Sequence, residues 1–124
     1  MKEGADNDKG EIRKRMIGLR DAIPPAQRQA LSRAIQERLK ELEAVRSAAT
    51  LMTYLSTGSE VDLDGLIAWG WTQGKRICVP FCRTENRELL ACRINGFGEL
   101  EPGAYGIREP RQHFLRPVAA AIWR

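Results

Sequence analysis

Lys9 and Arg13 are two cations at a four-residue spacing, in a segment whose apolar residues recur with helical period. Residues four apart lie on one face of an α-helix, so the two side chains would be close enough to bracket one phosphate chain. Taken alone, such a pair more often belongs to a solvated, charged helix face. The pattern therefore leaves both a phosphate site and an ordinary helix surface open.

A polar turn follows the most strand-like segment of the sequence. Residues 49–55, Ala-Thr-Leu-Met-Thr-Tyr-Leu, predict a strand, and the turn from Ser56 to Glu60 leads into the next helix. In an open α/β sheet, ligands bind outside the carboxyl ends of the strands. A substrate is therefore expected at this turn.

Two helices are expected ahead of the first strand. Their apolar residues recur at helical spacing, with Ile12, Met16, Leu19 and Ile23 in the first and Leu31, Ala34, Ile35, Leu39, Leu42 and Val45 in the second. Pro24 and Pro25 separate them, because proline breaks a helix interior but is tolerated in a first turn. We expect the apolar face of the first helix to pack and its other face to carry Arg and Lys.

Strands and helices alternate after this point. A helix over 63–73, with Asp62 as its N-cap, is followed by a strand over 77–81. The right-handed crossover rule sets this strand parallel to the first, and a short turn makes the next strand, over 88–94, antiparallel or an edge strand. The pattern predicts an α/β fold. Two N-terminal helices lead into a Rossmann-like, open, mainly parallel sheet with flanking helices, and the sheet is incomplete.

The length of 124 residues, of which 43% are hydrophobic, suits a single domain. We expect a flexible N-terminus over 1–8, an α/β domain over 9–110 and a divergent basic tail over 111–124. The formal charge of +4 would suit an anionic partner. Acids are nevertheless interleaved with the bases over 9–46, which is typical of a solvated surface, so no nucleic-acid partner is expected.

The cysteines and the hydropathy pattern bear on location. Cys78, Cys82 and Cys92 give no even-numbered disulfide framework, and Cys78 and Cys82 lie in or beside predicted strands, where cysteine behaves as a small buried hydrophobe. No apolar run approaches membrane length, and the start of the chain lacks a signal-peptide pattern. We expect a cytoplasmic protein without a membrane partner, of unknown oligomeric state.

Four segments together carry a resemblance to a known family. They are Lys9-Gly-Glu-Ile-Arg13, residues 47–67, Gly74-Lys-Arg-Ile-Cys-Val-Pro80 and Tyr105-Gly-Ile-Arg-Glu-Pro110. Their order and spacing resemble the first part of the 5-formyltetrahydrofolate cyclo-ligase family, also called methenyltetrahydrofolate synthetase. The resemblance implies an enzyme that uses ATP and Mg²⁺ to convert 5-formyltetrahydrofolate to 5,10-methenyltetrahydrofolate with release of ADP and phosphate. Such phosphoryl chemistry needs cations and positioning more than a side-chain nucleophile.

The resemblance also implies roles for individual residues. Lys9 and Arg13 match positions that contribute to ATP binding, and Glu60 matches a glutamate that contacts the folate. Thr57 in the same turn and Tyr105 in the Tyr-Gly-Ile-Arg-Glu-Pro segment are further substrate-binding candidates. No catalytic residue and no metal ligand is assigned.

The sequence departs from the family pattern beyond residue 110. The family's Arg-Leu-Gly-x-Gly-x-Gly-Tyr-Tyr-Asp loop is not present in these 124 residues. Backbone N–H groups of that loop would hold the triphosphate, so we expect this chain alone to be a poor catalyst. Two alternatives stay open: a non-catalytic remnant or half-protein that needs a partner chain, and a small basic nucleic-acid-binding module.

Overall fold

A computed structural model describes residues 2–83, 85–103 and 106–118, with side chains from residue 8 onward. Three helices precede the sheet: α1 (Lys2–Asp21), α2 (Pro25–Glu41) and α3 (Glu43–Ser47). The two prolines separate α1 from α2 as predicted, and Pro25 is the first residue of α2, where its missing N–H is tolerated. The backbone of α1 begins ahead of the expected start at residue 9.

The apolar stripe of α1 does not pack as predicted. Ile12, Met16 and Leu19 are 52%, 53% and 59% exposed, because no element of the described chain lies against that face. Side-chain hydrogen bonds join α1 to the rest of the molecule at its end, through Arg20 and Asp21. The first helix therefore projects from the body of the protein.

The main sheet is open and has the order β1-β2-β3, where β1 is Thr50–Met52, β2 is Arg76–Arg83 and β3 is Glu88–Ile94. The helix α4 (Asp64–Thr72) connects β1 to β2. The first two strands are parallel and the last two antiparallel, as their connections predict. The α/β class is confirmed, and the described sheet is mixed rather than mainly parallel because a short turn returns β3 beside β2.

The first strand is shorter than the predicted 49–55. Its register pairs Met52 with Cys78, and the last ladder hydrogen bond runs from the Thr53 N–H to the Cys78 carbonyl at 2.9 Å. Two residues further along β2, Pro80 has no N–H to continue the ladder. Pairing with β1 therefore ends there, whereas β2 continues to Arg83 because its other edge pairs with β3.

A second small sheet follows β3 in the chain. The strands β4 (Leu100–Pro102) and β5 (Arg108–Pro110) form an antiparallel pair, preceded by a 3₁₀ turn over Phe97–Glu99. Further along, the Val118 N–H donates to the Ala91 carbonyl at 2.9 Å. The start of the basic tail thus lies along the outer edge of β3.

One hydrophobic core lies between the main sheet, α4 and the β4–β5 hairpin. Its buried members are Leu55, Ile67, Ile77, Val79, Ile94 and Leu100. Trp71 packs against this core and donates from its indole N–H to the Ile94 carbonyl at 3.1 Å. Cys78 is buried as expected, but Cys82 is exposed because β2 has passed the end of the core at that point.

Candidate functional site at the carboxyl end of the first strand

The turn that follows β1 is closed by hydrogen bonds between the two predicted substrate-binding residues. The Thr57 N–H donates to Oε1 of Glu60 at 2.8 Å, and the Glu60 N–H donates to the Thr57 carbonyl at 3.2 Å. Gly58 between them has φ of 58°, a conformation that glycine adopts at little cost. Thr57 and Glu60 are thus brought together, and one carboxylate oxygen of Glu60 is already used to hold the turn.

A small cleft lies between this turn and the start of α2. It has a volume of about 200 Å³, and Arg28, Ser32, Ser59, Glu60 and Asp62 contribute to its lining. Binding sites for drug-sized molecules are commonly about 300–1,000 Å³, so this cleft would hold only part of a molecule of that size. Its mixture of a guanidinium, carboxylates and hydroxyls suits a polar ring edge with donors and acceptors.

The end of α1 is fastened to the same turn through Ser59. Nε of Arg20 donates to Oγ of Ser59 at 2.8 Å, and the Ser59 hydroxyl donates to the carboxylate of Asp21. A carboxylate, a hydroxyl and a guanidinium in sequence form a connected network at a partly buried position. This network fixes where α1 leaves the body of the protein.

Lys9 and Arg13 lie on the same side of α1 as Arg20. With 3.6 residues per turn, both fall within about 20° of Arg20 around the helix axis. At 1.5 Å per residue they lie roughly 16 Å and 10 Å from it along the axis. Both side chains are exposed and neither lines the cleft. The two cations therefore lie on the side of α1 that carries the Arg20–Ser59 contact, at a distance from Glu60.

The other side of the turn is held by α2. Nε2 of Gln36 donates to the Asp62 carbonyl at 2.6 Å, and the Asp62 N–H donates to Oγ of Ser32 at 3.0 Å. Ser32 and Gln36 are both buried, so each is a polar side chain whose burial depends on these bonds. Gly65 permits the close approach, since a Cβ there would lie 2.2 Å from Oε1 of Gln36.

Asp62 lies one residue before the N-cap of α4. Its Oδ1 accepts the Asp64 N–H at 2.8 Å, but the N-cap residue is Leu63, so the predicted N-cap was placed one residue too early. The hydroxyl of Tyr54 donates to the Val61 carbonyl at 2.8 Å. Burial, and then the neighbouring carboxylate of Glu60, raise the pKa of Tyr54.

The β4–β5 hairpin is joined to the start of α4 by an ion pair. The guanidinium of Arg108 donates to both carboxylate oxygens of Asp64, each at 2.9 Å, and these hydrogen bonds raise the pKa of Arg108. This fork geometry is the stronger form of an Arg–carboxylate contact. Tyr105, the remaining predicted substrate contact, lies outside the described residues, in the connection between the two strands of this hairpin.

The described ranges were also compared with what a metal site and a membrane-spanning helix require. No three His, Cys, Asp or Glu side chains in them gather at a point that would hold a metal ion. The described helices include none that is both long and apolar enough to cross a membrane. The described residues alone therefore do not form a cage for the Mg²⁺ that the family resemblance implies.

The fold and the site define a class: an α/β domain whose polar turn at the carboxyl end of the first strand is bound between two N-terminal helices. The model of the 5-formyltetrahydrofolate cyclo-ligase family matches residues 5–122, so the chain belongs to that family. Curated proteins, in contrast, give no match.

Two solved structures have the same fold. The 5,10-methenyltetrahydrofolate synthetase of Aquifex aeolicus is 27% identical with a TM-score of 0.72, over 92% of this chain and 56% of that one. A 5,10-methenyltetrahydrofolate synthetase of Mycoplasma pneumoniae is 19% identical with a TM-score of 0.59, over 70% of this chain and 54% of that one. The chain thus spans somewhat over half the length of these two proteins.

Sequence reasoning missed the residues that hold the turn in place. Arg20, Asp21 and Ser59 act across nearly forty positions, and Ser32 and Gln36 reach Asp62 from another helix. The sequence carried little signal for them. Gln36 lies about 60° around α2 from Leu39, just outside the apolar stripe, on the same side of the helix as the buried Ser32.

Proposed function

We propose that this chain provides the amino-terminal part of the site of an ATP-dependent 5-formyltetrahydrofolate cyclo-ligase. In this proposal the polar edge of the folate binds in the cleft beside Glu60 and Thr57, and the phosphates of ATP bind along α1 at Lys9 and Arg13. The observation that carries it is the contact of Arg20 and Asp21 with Ser59, which fixes the cation-bearing helix to the substrate turn.

The geometry supports different roles for Glu60 and for the two cations on α1. Oε1 of Glu60 holds the turn, and its second carboxylate oxygen is the acceptor offered to N–H groups of the folate. The two cations on α1 would offset the negative charge of a triphosphate without themselves entering a covalent step. When bound, ATP would supply the phosphoryl group that activates the formyl oxygen, with ADP as the leaving group.

We expect little turnover from these 124 residues. Phosphoryl transfer depends on several positioned donors around the phosphates, each worth about 10²-fold or more in rate. The glycine-rich loop that would provide backbone donors is not in the sequence. ATP-dependent formation of methenyltetrahydrofolate, followed by its near-ultraviolet absorbance, should therefore be barely above background.

Binding of the folate is tested by thermal unfolding with added 5-formyltetrahydrofolate. A ligand that binds only the native state raises the melting temperature by mass action. Glu60→Gln should weaken this protection and leave the ligand-free melting temperature nearly unchanged, because an amide oxygen can still accept the Thr57 N–H. Glu41→Gln, at an exposed position on α2, is the matched control and should keep full protection.

The alternatives predict other outcomes of the same experiment. A non-catalytic remnant would show no folate protection in any variant. A nucleic-acid-binding module would show none either, and would bind a DNA or RNA duplex with an affinity that falls steeply as salt rises. We expect folate protection and no salt-dependent duplex binding. The cytoplasmic location stays a prediction.

A further inference from the structure

One face of α2 carries three polar side chains at four-residue intervals, Arg28, Ser32 and Gln36. Residues four apart in a helix lie on the same face, about 6 Å from each other along the axis. Gln36 and Ser32 both bind the backbone of Asp62, at its carbonyl and its N–H respectively. Arg28 lies one turn nearer the start of the helix, where it lines the cleft together with Glu60. This face of α2 therefore places a guanidinium beside the substrate turn.

The guanidinium of Arg28 is half-buried but takes part in none of the ion pairs between described residues. Other arginines of the described chain are held by carboxylates, as Arg108 is by Asp64 and Arg116 by Glu99. A guanidinium has five N–H donors and no acceptor, so its bonding capacity is available to a ligand that offers oxygen. The position of Arg28 is thus explained by the cleft rather than by an ion pair of the fold.

The cleft offers acceptors and donors side by side. Oε1 of Glu60 accepts the Thr57 N–H, so the second carboxylate oxygen is the acceptor that remains for a ligand. Ser32 is 6% exposed, accepts the Asp62 N–H, and still has its own hydroxyl hydrogen to donate. Arg28 adds the donors of its guanidinium. A ligand edge that fits must therefore present an N–H to Glu60 and an acceptor oxygen to Arg28.

The pyrimidine edge of a pterin has this arrangement. The ring system of 5-formyltetrahydrofolate carries a carbonyl oxygen at C4, an N–H at the adjacent N3 and an amino group at C2. A carboxylate can accept only from the two nitrogen-bearing positions, so the oxygen at C4 needs a separate donor. The cleft of about 200 Å³ has room for roughly six or seven waters at about 30 Å³ each, and the edge of a ring would displace several of them.

We propose that Arg28 is a specificity-determining residue of the folate site, which donates to the C4 oxygen of the pterin while Glu60 accepts from the neighbouring N–H. This contact lies in the cleft of the proposed function and rests on that function. Arg28 would select a 4-oxo ring over a 4-amino ring, because an amino group at C4 would place donors against the donors of the guanidinium. A site that binds a substrate group by hydrogen bonds discriminates against the analogue that lacks it, since its own polar groups are then left unpaired.

The test compares two ligands, 5-formyltetrahydrofolate and its 4-amino analogue, which share the formyl group and the glutamate tail. Each is titrated by calorimetry against the wild-type chain, Arg28→Ala and Arg33→Ala. Arg28→Ala should weaken binding of the 4-oxo ligand about tenfold or more, since it removes a hydrogen bond from a charged donor, and should change binding of the 4-amino ligand less than about twofold. Arg33→Ala is the matched control, because it removes the same charge from an exposed position about 140° away around α2.

The outcomes separate this contact from the proposed function. An equal loss of affinity for both ligands in Arg28→Ala would overturn the specificity role, because the guanidinium would then bind a group that the ligands share, such as the glutamate tail. Equal affinities of Arg28→Ala and Arg33→Ala for the 4-oxo ligand would also overturn it, and the proposed function would stand if Glu60→Gln still weakens binding. No binding of 5-formyltetrahydrofolate by the wild-type chain would overturn the proposed function, and the role of Arg28 with it.

A second measurement covers a loss of stability in Arg28→Ala or an affinity too weak for calorimetry. In the ¹⁵N-labelled wild-type chain, the Nε–H signal of Arg28 is assigned by its absence from the spectrum of Arg28→Lys. We expect this signal to shift when 5-formyltetrahydrofolate is added and to shift much less with the 4-amino analogue. Equal shifts with the two ligands, or no shift with either while the amides of the turn respond, would overturn the assignment of Arg28.

Discussion

Arg20 donates from Nε to Oγ of Ser59 at 2.8 Å, which joins the end of the first helix to the turn after the first strand. The same hydroxyl donates to the Asp21 carboxylate, so one serine holds two consecutive residues of α1. The two elements that carry the predicted ATP-binding and folate-binding residues are therefore fixed to each other through Arg20, Asp21 and Ser59.

Removing the Ser59 hydroxyl should loosen that attachment. Ser59→Ala leaves Arg20 and Asp21 without their shared partner, and hydrogen bonds to charged groups contribute about 1.5–3 kcal/mol each. Because the site is only partly buried, we expect a loss of about 1–2 kcal/mol in the free energy of unfolding, measured by urea denaturation. Ser56→Ala in the same turn should cost less than half as much, and equal costs would show that the Arg20–Ser59–Asp21 network contributes nothing specific.

Breaking the contact of α2 with Asp62 should lower the free energy of unfolding more than removing the Ser59 hydroxyl does. Gln36→Ala removes the donor to the Asp62 carbonyl at a buried position, and an unsatisfied buried carbonyl costs about 1–3 kcal/mol. Gln27→Ala, at an exposed position on the same helix, is the control and should change the free energy of unfolding by less than about 0.5 kcal/mol. A stability of Gln36→Ala equal to that of the control would mean that water replaces the lost donor.

Glu99 should make stability depend on pH. Its carboxylate accepts from the Asn95 N–H and from Nη1 of Arg116, both at 2.9 Å. Burial opposes ionisation, but the hydrogen bonds from Arg116 and Asn95 outweigh it and lower the pKa of Glu99. A lowered pKa in the folded state means that the stabilisation is present at pH values above the unfolded pKa and is lost as pH falls through the folded pKa.

Urea denaturation between pH 7 and pH 3 measures this effect. Glu99→Gln should be less stable than wild type at pH 7 by about 1–3 kcal/mol, and its stability should fall less on acidification. Glu101→Gln is the matched control, because Glu101 lies 3.8 Å from Arg111 in an exposed pair that contributes little. If the pH dependence of Glu99→Gln equals that of wild type, another carboxylate governs acid unfolding.

The elements of the fold with local signals could be predicted from the sequence. Pro24 and Pro25 divide the first two helices, and the short turn after Arg83 gives the antiparallel third strand. The parallel pairing of β1 with β2 follows from the crossover rule. The short β1 and the β4–β5 hairpin were not predicted. The length of β1 depends on Pro80 in β2, which lies far along the chain and has no N–H to continue the ladder.

The candidate site was predictable in position but not in detail. The turn after β1 was identified from strand-end geometry, and Thr57 and Glu60 lie in it together. The expectation that the apolar face of α1 packs was wrong for the described structure, since Ile12, Met16 and Leu19 are exposed. Helical periodicity shows which face of a helix is apolar. It does not show whether another element of the described chain packs against that face.

The central claim is that Lys9 and Arg13 bind ATP from the helix face that is anchored at Ser59, and calorimetric titration of ATP tests it most directly. Lys9→Ala combined with Arg13→Ala should weaken binding at least tenfold, about 1.4 kcal/mol. The control is Lys14→Ala combined with Arg15→Ala, which removes the same charge from positions about 120–140° away from Arg20 around α1.

We predict that the control pair changes the ATP affinity less than about twofold, since exposed charges at that distance around the helix are largely screened. Equal losses in the two double variants would show a general effect of net charge. An ATP affinity unchanged by removal of Lys9 and Arg13 would contradict the account, because the helix face anchored at Ser59 would then play no part in nucleotide binding.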